Sequence, residues 1–94
     1  MTSRKIKLKN RIEWRNKEGK LHRVDGPAVE FAIGTKRWHH NGILHRVGGP
    51  AVEWSDGSVE WYLNARYFSS QEEWFNALSK EDQVNYLFKM EGSK

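Results

Sequence analysis

GKLHRVDGPAVEFAIGTKRWHHN, residues 19–41, runs without a gap into GILHRVGGPAVEWSDGSVEWYLN, residues 42–64. Thirteen of the 23 aligned positions are identical. Self-similarity at a fixed period marks a duplicated structural unit. Each copy is punctuated by turn chemistry. Asn41-Gly42 and Asp56-Gly57 are two-residue hairpin signals, because a type I′ turn needs positive φ at both central positions. Ile33-Gly34 fills the slot of Asp56-Gly57 in the first copy. Gly26-Pro27 and Gly49-Pro50 break the chain again, and a proline without an N–H belongs at a strand start or edge. Between these marks the pattern has period two. Val29 and Phe31 share a face opposite Glu30, Val52 and Trp54 flank Glu53, and Val59, Trp61 and Leu63 oppose Glu60 and Tyr62. This predicts an α+β fold: an antiparallel β-meander of about five to eight short strands, built from 23-residue hairpin repeats.

The flanks extend the pattern. Ile12-Glu13-Trp14 falls in the slot of Lys36-Arg37-Trp38 and of Val59-Glu60-Trp61, and Ala65-Arg66-Tyr67 opens a third copy that stops before any HR or GPA. Arg4 to Leu8 reads as an edge strand, with Ile6 and Leu8 pointing one way and Lys5, Lys7 and Lys9 the other. Lysines on an edge discourage unwanted pairing. After residue 68 the period changes. Ser69 or Ser70, followed three residues on by Glu72 or Glu73, is a capping-box pattern. Trp74, Phe75 and Leu78 then fall on one helical stripe. Ser79 to Asp82 is a second such start, Val84, Leu87 and Phe88 continue the spacing, and Gly92 is a stop signal. A C-terminal helix or helix pair should therefore lay this stripe over one face or end of the sheet. The organisation expected is a single domain over 1–94, with a basic arm or edge strand (1–10), a β-repeat region (11–68) and a helical cap (69–91).

Composition narrows the function classes. The 94 residues contain no cysteine, which excludes disulfides and thiolate metal sites. No apolar run approaches the roughly 18 residues that cross a bilayer, so no membrane partner is expected. Residues 1–11 are basic without an apolar stretch, so the expectation is no secretory signal and a cytoplasmic protein. Aromatics at 13% exclude a disordered chain. The net charge of +4 is concentrated: residues 1–18 carry seven Lys or Arg against two Glu, and the rest is close to neutral.

The recurring chemistry is the HR dipeptide, His22-Arg23 and His45-Arg46, each before a glycine-rich turn. Guanidinium groups beside turn N–H groups suit phosphate or carboxylate. With Lys5, Lys7 and Lys9 they form a candidate anion-binding set. The same residues also suit a lock, in which each His or Arg bonds to backbone carbonyls of the next turn. Asp25 aligns with Gly48, so a turn-forming role explains it better than catalysis. His39 and His40 are adjacent and point apart in a strand, and no acidic ligand recurs with His22 and His45, so neither a metal nor any cofactor is expected. No set of residues reads as catalytic. Trp14, Trp38 and Trp61 occupy equivalent slots and should pack as a ladder. Five Trp, four Phe and three Tyr exceed what a two-layer domain of this size buries. Some should remain exposed, and exposed Trp, Tyr and Arg anchor interfaces. Arg37, His39, Tyr62 and Trp54 are the candidates for such a contact surface.

The twin LHRVxGPAVE segments, each followed by G, W and N, resemble the HR-x-x-GPA repeats of small phage and bacterial proteins of unassigned function. They are more weakly similar to MORN-type repeats, whose usual glycine spacing they lack. The resemblance covers about residues 11–68, and the trailing W-Y-x-N-A-R-Y-F before a capped helix is similar to the ending of that family. Ala65 stands where the pattern generally has Gly, and Gly48 where it has Asp. The resemblance implies a fold and a genomic setting. With the composition, it leads to an expectation of a non-enzymatic, phage-encoded module that inhibits a host or defence protein by binding it in the host cytoplasm. The alternative is a sponge for a phosphate-bearing nucleotide, or a nucleic-acid binder, using Arg23, Arg46 and the basic arm. A homodimer through an edge strand is compatible with either.

Overall fold

The computed structural model describes residues 3–92. Met1, Thr2, Ser93 and Lys94, the ends of the sequence expectations above, lie outside the described residues. In chain order the strands are β1 (Arg4–Lys7), β2 (Arg11–Arg15), β3 (Val29–Phe31), β4 (Lys36–Arg37), β5 (His39–His40), β6 (Ile43–Leu44), β7 (Val52–Glu53), β8 (Val59–Leu63) and β9 (Arg66–Phe68), followed by helices α1 (Gln71–Ala77) and α2 (Lys80–Gly92). The fold is α+β. Seven strands form one antiparallel sheet in the order β1-β2-β3-β4-β7-β8-β9, and β5 pairs with β6 as a separate ribbon. The lysine-bearing β1 is an edge strand, as its pattern predicts.

Turn residues set the hairpins. Asn41 and Gly42, at φ 51 and 84, join β5 to β6 as the two-residue signal requires. Asn64 and Ala65 do the same between β8 and β9, with Ala65 held at φ 71 where glycine would be unstrained. The Asp56-Gly57 signal resolves differently. Only Gly57 has positive φ, and Trp54 N donates to Ser58 O at 2.9 Å, which makes a three-residue loop with a terminal left-handed glycine. The aspartate explains the difference: Asp56 Oδ1 accepts from both the N–H and the hydroxyl of Ser58, holding an Asx turn.

The C-terminal region is a helix pair. Ser70 caps α1 by accepting from Glu73 N, and Ser79 opens α2 by accepting from Asp82 N. Extended backbone at Leu78 (ψ 155) separates the two. Trp74 is fully buried and packs with Phe68, Leu78 and Tyr86, against which Trp61, Leu63 and Phe75 also lie. The helices therefore cover the side of the sheet that carries Trp61 and Phe68. One expectation is corrected here. Val84, Leu87 and Phe88 do not lie on the sheet but face solvent, and the residue α2 buries is Tyr86. Its ring meets Trp74 edge-on at 5.0 Å and its hydroxyl accepts from Gln71 Nε2 at 2.6 Å. Tyr86 packs its ring on Trp74 while its hydroxyl keeps a hydrogen-bond partner, and these two contacts fix the rotation of the helix.

Candidate functional site

Two regions gather the candidate residues. The first is a cleft of about 690 Å³ between the two HR turns, bounded by Arg23, His40, His45, Arg46 and, from α2, Lys89. Its arginines are engaged within the fold. Arg23 lies 3.8 Å over the Trp14 ring, donates to Pro27 O at 3.2 Å and pairs with Glu30 at 3.0 Å and Asp25 at 3.1 Å. One period later Arg46 lies 3.8 Å over the Trp38 ring, donates to Pro50 O at 3.0 Å and pairs with Glu53 at 3.2 Å. The guanidinium groups rest on Gly26 and Gly49, where a β-carbon would come within 2.8 and 2.9 Å of them. Burial pulls the Arg46 pKa below the ordinary arginine value, and Glu53 partly restores it. The recurrent glycine before each proline thus makes room for a flat cation stacked on a tryptophan.

The histidines of the dipeptide hold the chain in the same repeated way. His22 Nδ1 accepts from Asn41 N, and His45 Nδ1 accepts from Asn64 N, both at 2.9 Å. His40 stands between them, its ring 4.5 Å from His22 and 6.4 Å from His45. Because each Nδ1 is an acceptor, the neutral ring carries its proton on Nε2. That leaves no Nε2 lone pair on His22 or His45 for a metal. Among the described residues no group of three His, Cys, Asp or Glu is arranged to hold one. His22 is 2% exposed, and its Nε2 has no hydrogen-bond partner.

Burial holds His22, His39 and His45 below the usual imidazole pKa; His40 adds to this at His22 and His45, and Arg37 at His39, which falls to about 4. The unfolded chain then binds more protons than the folded one, so stability rises with pH across the gap. The contribution is complete above pH 6.5 and is lost as pH falls towards 4. From His39 alone it amounts to about 3 kcal/mol at most. Thermal melts at pH 7.5 and pH 5 should differ by several degrees, and His39→Leu should flatten that dependence. An unchanged slope in the variant would refute this assignment.

The second region is the other side of the sheet. Cross-strand register places Glu13, Val29, Arg37, Val52 and Glu60 in one row. Glu13 is buried and held by Arg11 at 2.7 Å and Arg15 at 2.9 Å, and those two cations keep its carboxyl below the usual range against the opposing effect of burial. Glu60 accepts from Trp54 Nε1 and from the Tyr62 hydroxyl, both at 2.9 Å, and the bond from Tyr62 to this carboxylate raises the phenol pKa. Tyr67 meets Tyr62 edge-on at 5.6 Å. Trp54 is 44% and Tyr67 57% exposed. Arg37 is half-buried, with a buried Nε that has no hydrogen-bond partner.

Of the expected contact residues, Arg37, Tyr62 and Trp54 thus meet on one side. His39 does not belong with them as a surface residue: it is buried in the β5–β6 ribbon. The alternation that placed it beside Arg37 breaks at Trp38, whose N–H bonds to Ala51 O while its carbonyl accepts from His45 N. Of the expected anion set, His45, Arg23 and Arg46 border the cleft. Lys5 sits 5.7 Å over Trp14, Lys7 is exposed further along β1, and Lys9 lies in the turn beyond it. Sequence reading missed Glu60 and Tyr67. The signal was available in the slot shared by Glu13, Arg37 and Glu60, which alternates in charge. No family model matches the chain, and neither a curated protein nor a solved structure shows significant similarity to it.

Proposed function

We propose that this protein is a non-enzymatic module that binds another protein through the sheet side carrying Arg37, Trp54, Tyr62 and Tyr67. The observation that carries this reading is the pair of exposed aromatic rings, Trp54 and Tyr67, on the same side of the sheet as half-buried Arg37 and Tyr62 and opposite the helices. Arg and large aromatics are the residues that dominate interface energetics. We read the 23-residue period as a hairpin repeat unit, a reading supported by the matching contacts of His22 and His45 and of Arg23 and Arg46. The resemblance of that repeat to small phage and bacterial HR-x-x-GPA proteins supports the more specific form, inhibition of a host or defence protein by occupancy.

The test is a tagged pull-down from host lysate, with and without nuclease, followed by affinity measurements on the partner recovered. Arg37→Ala, Trp54→Ala and Tyr62→Ala should each weaken binding by about 2 kcal/mol, near 30-fold, where the residue is an anchor. If all three bind as wild type does, the reading fails. The alternative, a phosphate-bearing nucleotide or nucleic acid held by Arg23 and Arg46, draws on the cleft between the HR turns. It is the weaker reading, because both guanidinium groups already face carboxylates.

A further inference from the structure

Val84, Leu87 and Phe88 are 47%, 57% and 67% exposed. Three large apolar side chains at i, i+3 and i+4 make a continuous stripe. Tyr86, the residue α2 buries, lies on the opposite side of the helix. Lys80 and Glu91 extend the same stripe, four residues before Val84 and three after Phe88. Neither forms an ion pair among the described residues. Within their own helix both charges stand the wrong way round: a cation at the N-terminus and an anion near the C-terminus oppose the helix dipole.

A second copy of the stripe, run antiparallel, resolves both features. With Val84 set against Leu87 of the other copy, Lys80 meets Glu91 at each end. A parallel pair would instead set Lys80 against Lys80 and Glu91 against Glu91. The charge pattern therefore selects the two-fold antiparallel arrangement. We propose that the protein forms a homodimer through an antiparallel pair of α2 helices. The occupant of the exposed stripe is the same stripe of a second chain. A helix of 13 residues is roughly 20 Å long. Such a contact is smaller than a standard interface, so the dimer should be weak, with a dissociation constant on the order of 10–100 µM. Dimerisation would carry two copies of the sheet side into one particle, so that a partner with two sites gains avidity.

Sedimentation equilibrium of the full chain tests this over a range that brackets that constant. The wild type should shift from monomer to dimer. Phe88→Asp should weaken association at least tenfold without lowering the melting temperature, since the side chain is mostly exposed. Lys80→Glu should also weaken it, and Lys80→Glu combined with Glu91→Lys should restore it. The proposal is overturned if the chain stays monomeric across the range. It is also overturned if the dimer ignores Phe88→Asp, or if the double charge exchange fails to rescue the single one.

Discussion

Trp74→Ala should cost about 3–5 kcal/mol and lower the melting temperature by roughly 15–25 °C, read by circular dichroism. A domain of 94 residues holds about 5–14 kcal/mol in total, so this one change removes a large part of it. The size of the effect follows from what Trp74 replaces. Trp14 and Trp38 each have a guanidinium stacked on the ring, from Arg23 and Arg46. The residue 23 positions after Arg46 is Ser69, which cannot cover Trp61. Trp74 does so instead, at 4.6 Å, and its indole N–H reaches back to Arg46 O at 3.2 Å. Trp74→Phe should cost less, about 1–2 kcal/mol, because the ring remains and the hydrogen bond is lost. A drop below 5 °C for Trp74→Ala would mean that the helix pair adds little to the core around Trp61.

The fold was legible in the sequence wherever a local rule sufficed. Asn41-Gly42 fixed a hairpin, Ser70 and Glu73 fixed a helix start, and alternating lysines marked β1 as an edge. The misreadings share a different cause: each depended on contacts distant in sequence. The exposed stripe of α2 has the same spacing as a buried one, and only the contacts of Tyr86 with Trp74 and Gln71 decide which side faces inward. His39 reads as a strand residue beside Arg37, and its burial follows from the hydrogen bonds that Trp38 makes to Ala51 and His45. The candidate site was half legible. Exposed Trp54 and half-buried Arg37 and Tyr62 follow from alternation, but the Glu60 carboxylate that organises two of them appears only once register is known.

Arg23→Ala combined with Arg46→Ala should destabilise the domain by about 3–4 kcal/mol, close to the sum of the single variants. Each guanidinium contributes a stacking interaction of about 1 kcal/mol and a part-buried hydrogen bond to a proline carbonyl of similar size. The ion pairs to Glu30 and Glu53 add less, because both carboxylates are about one-third exposed. The two clusters share no partner, so their effects should add. Arg→Lys at either site should recover little, since an ammonium neither stacks flat on Trp14 or Trp38 nor spans a carbonyl and a carboxylate together. Gly26→Ala and Gly49→Ala should resemble the arginine variants in direction, because the added β-carbon displaces the guanidinium from its ring. This series separates the two functional readings. If the HR dipeptide locks the hairpins, the double variant melts early and its loss of any ligand merely follows unfolding. If it is an anion site, the double variant keeps its melting temperature and loses inorganic phosphate or nucleotide. Engagement of the two arginines by Trp14, Trp38, Pro27, Pro50, Glu30 and Glu53 leads us to expect the early melt.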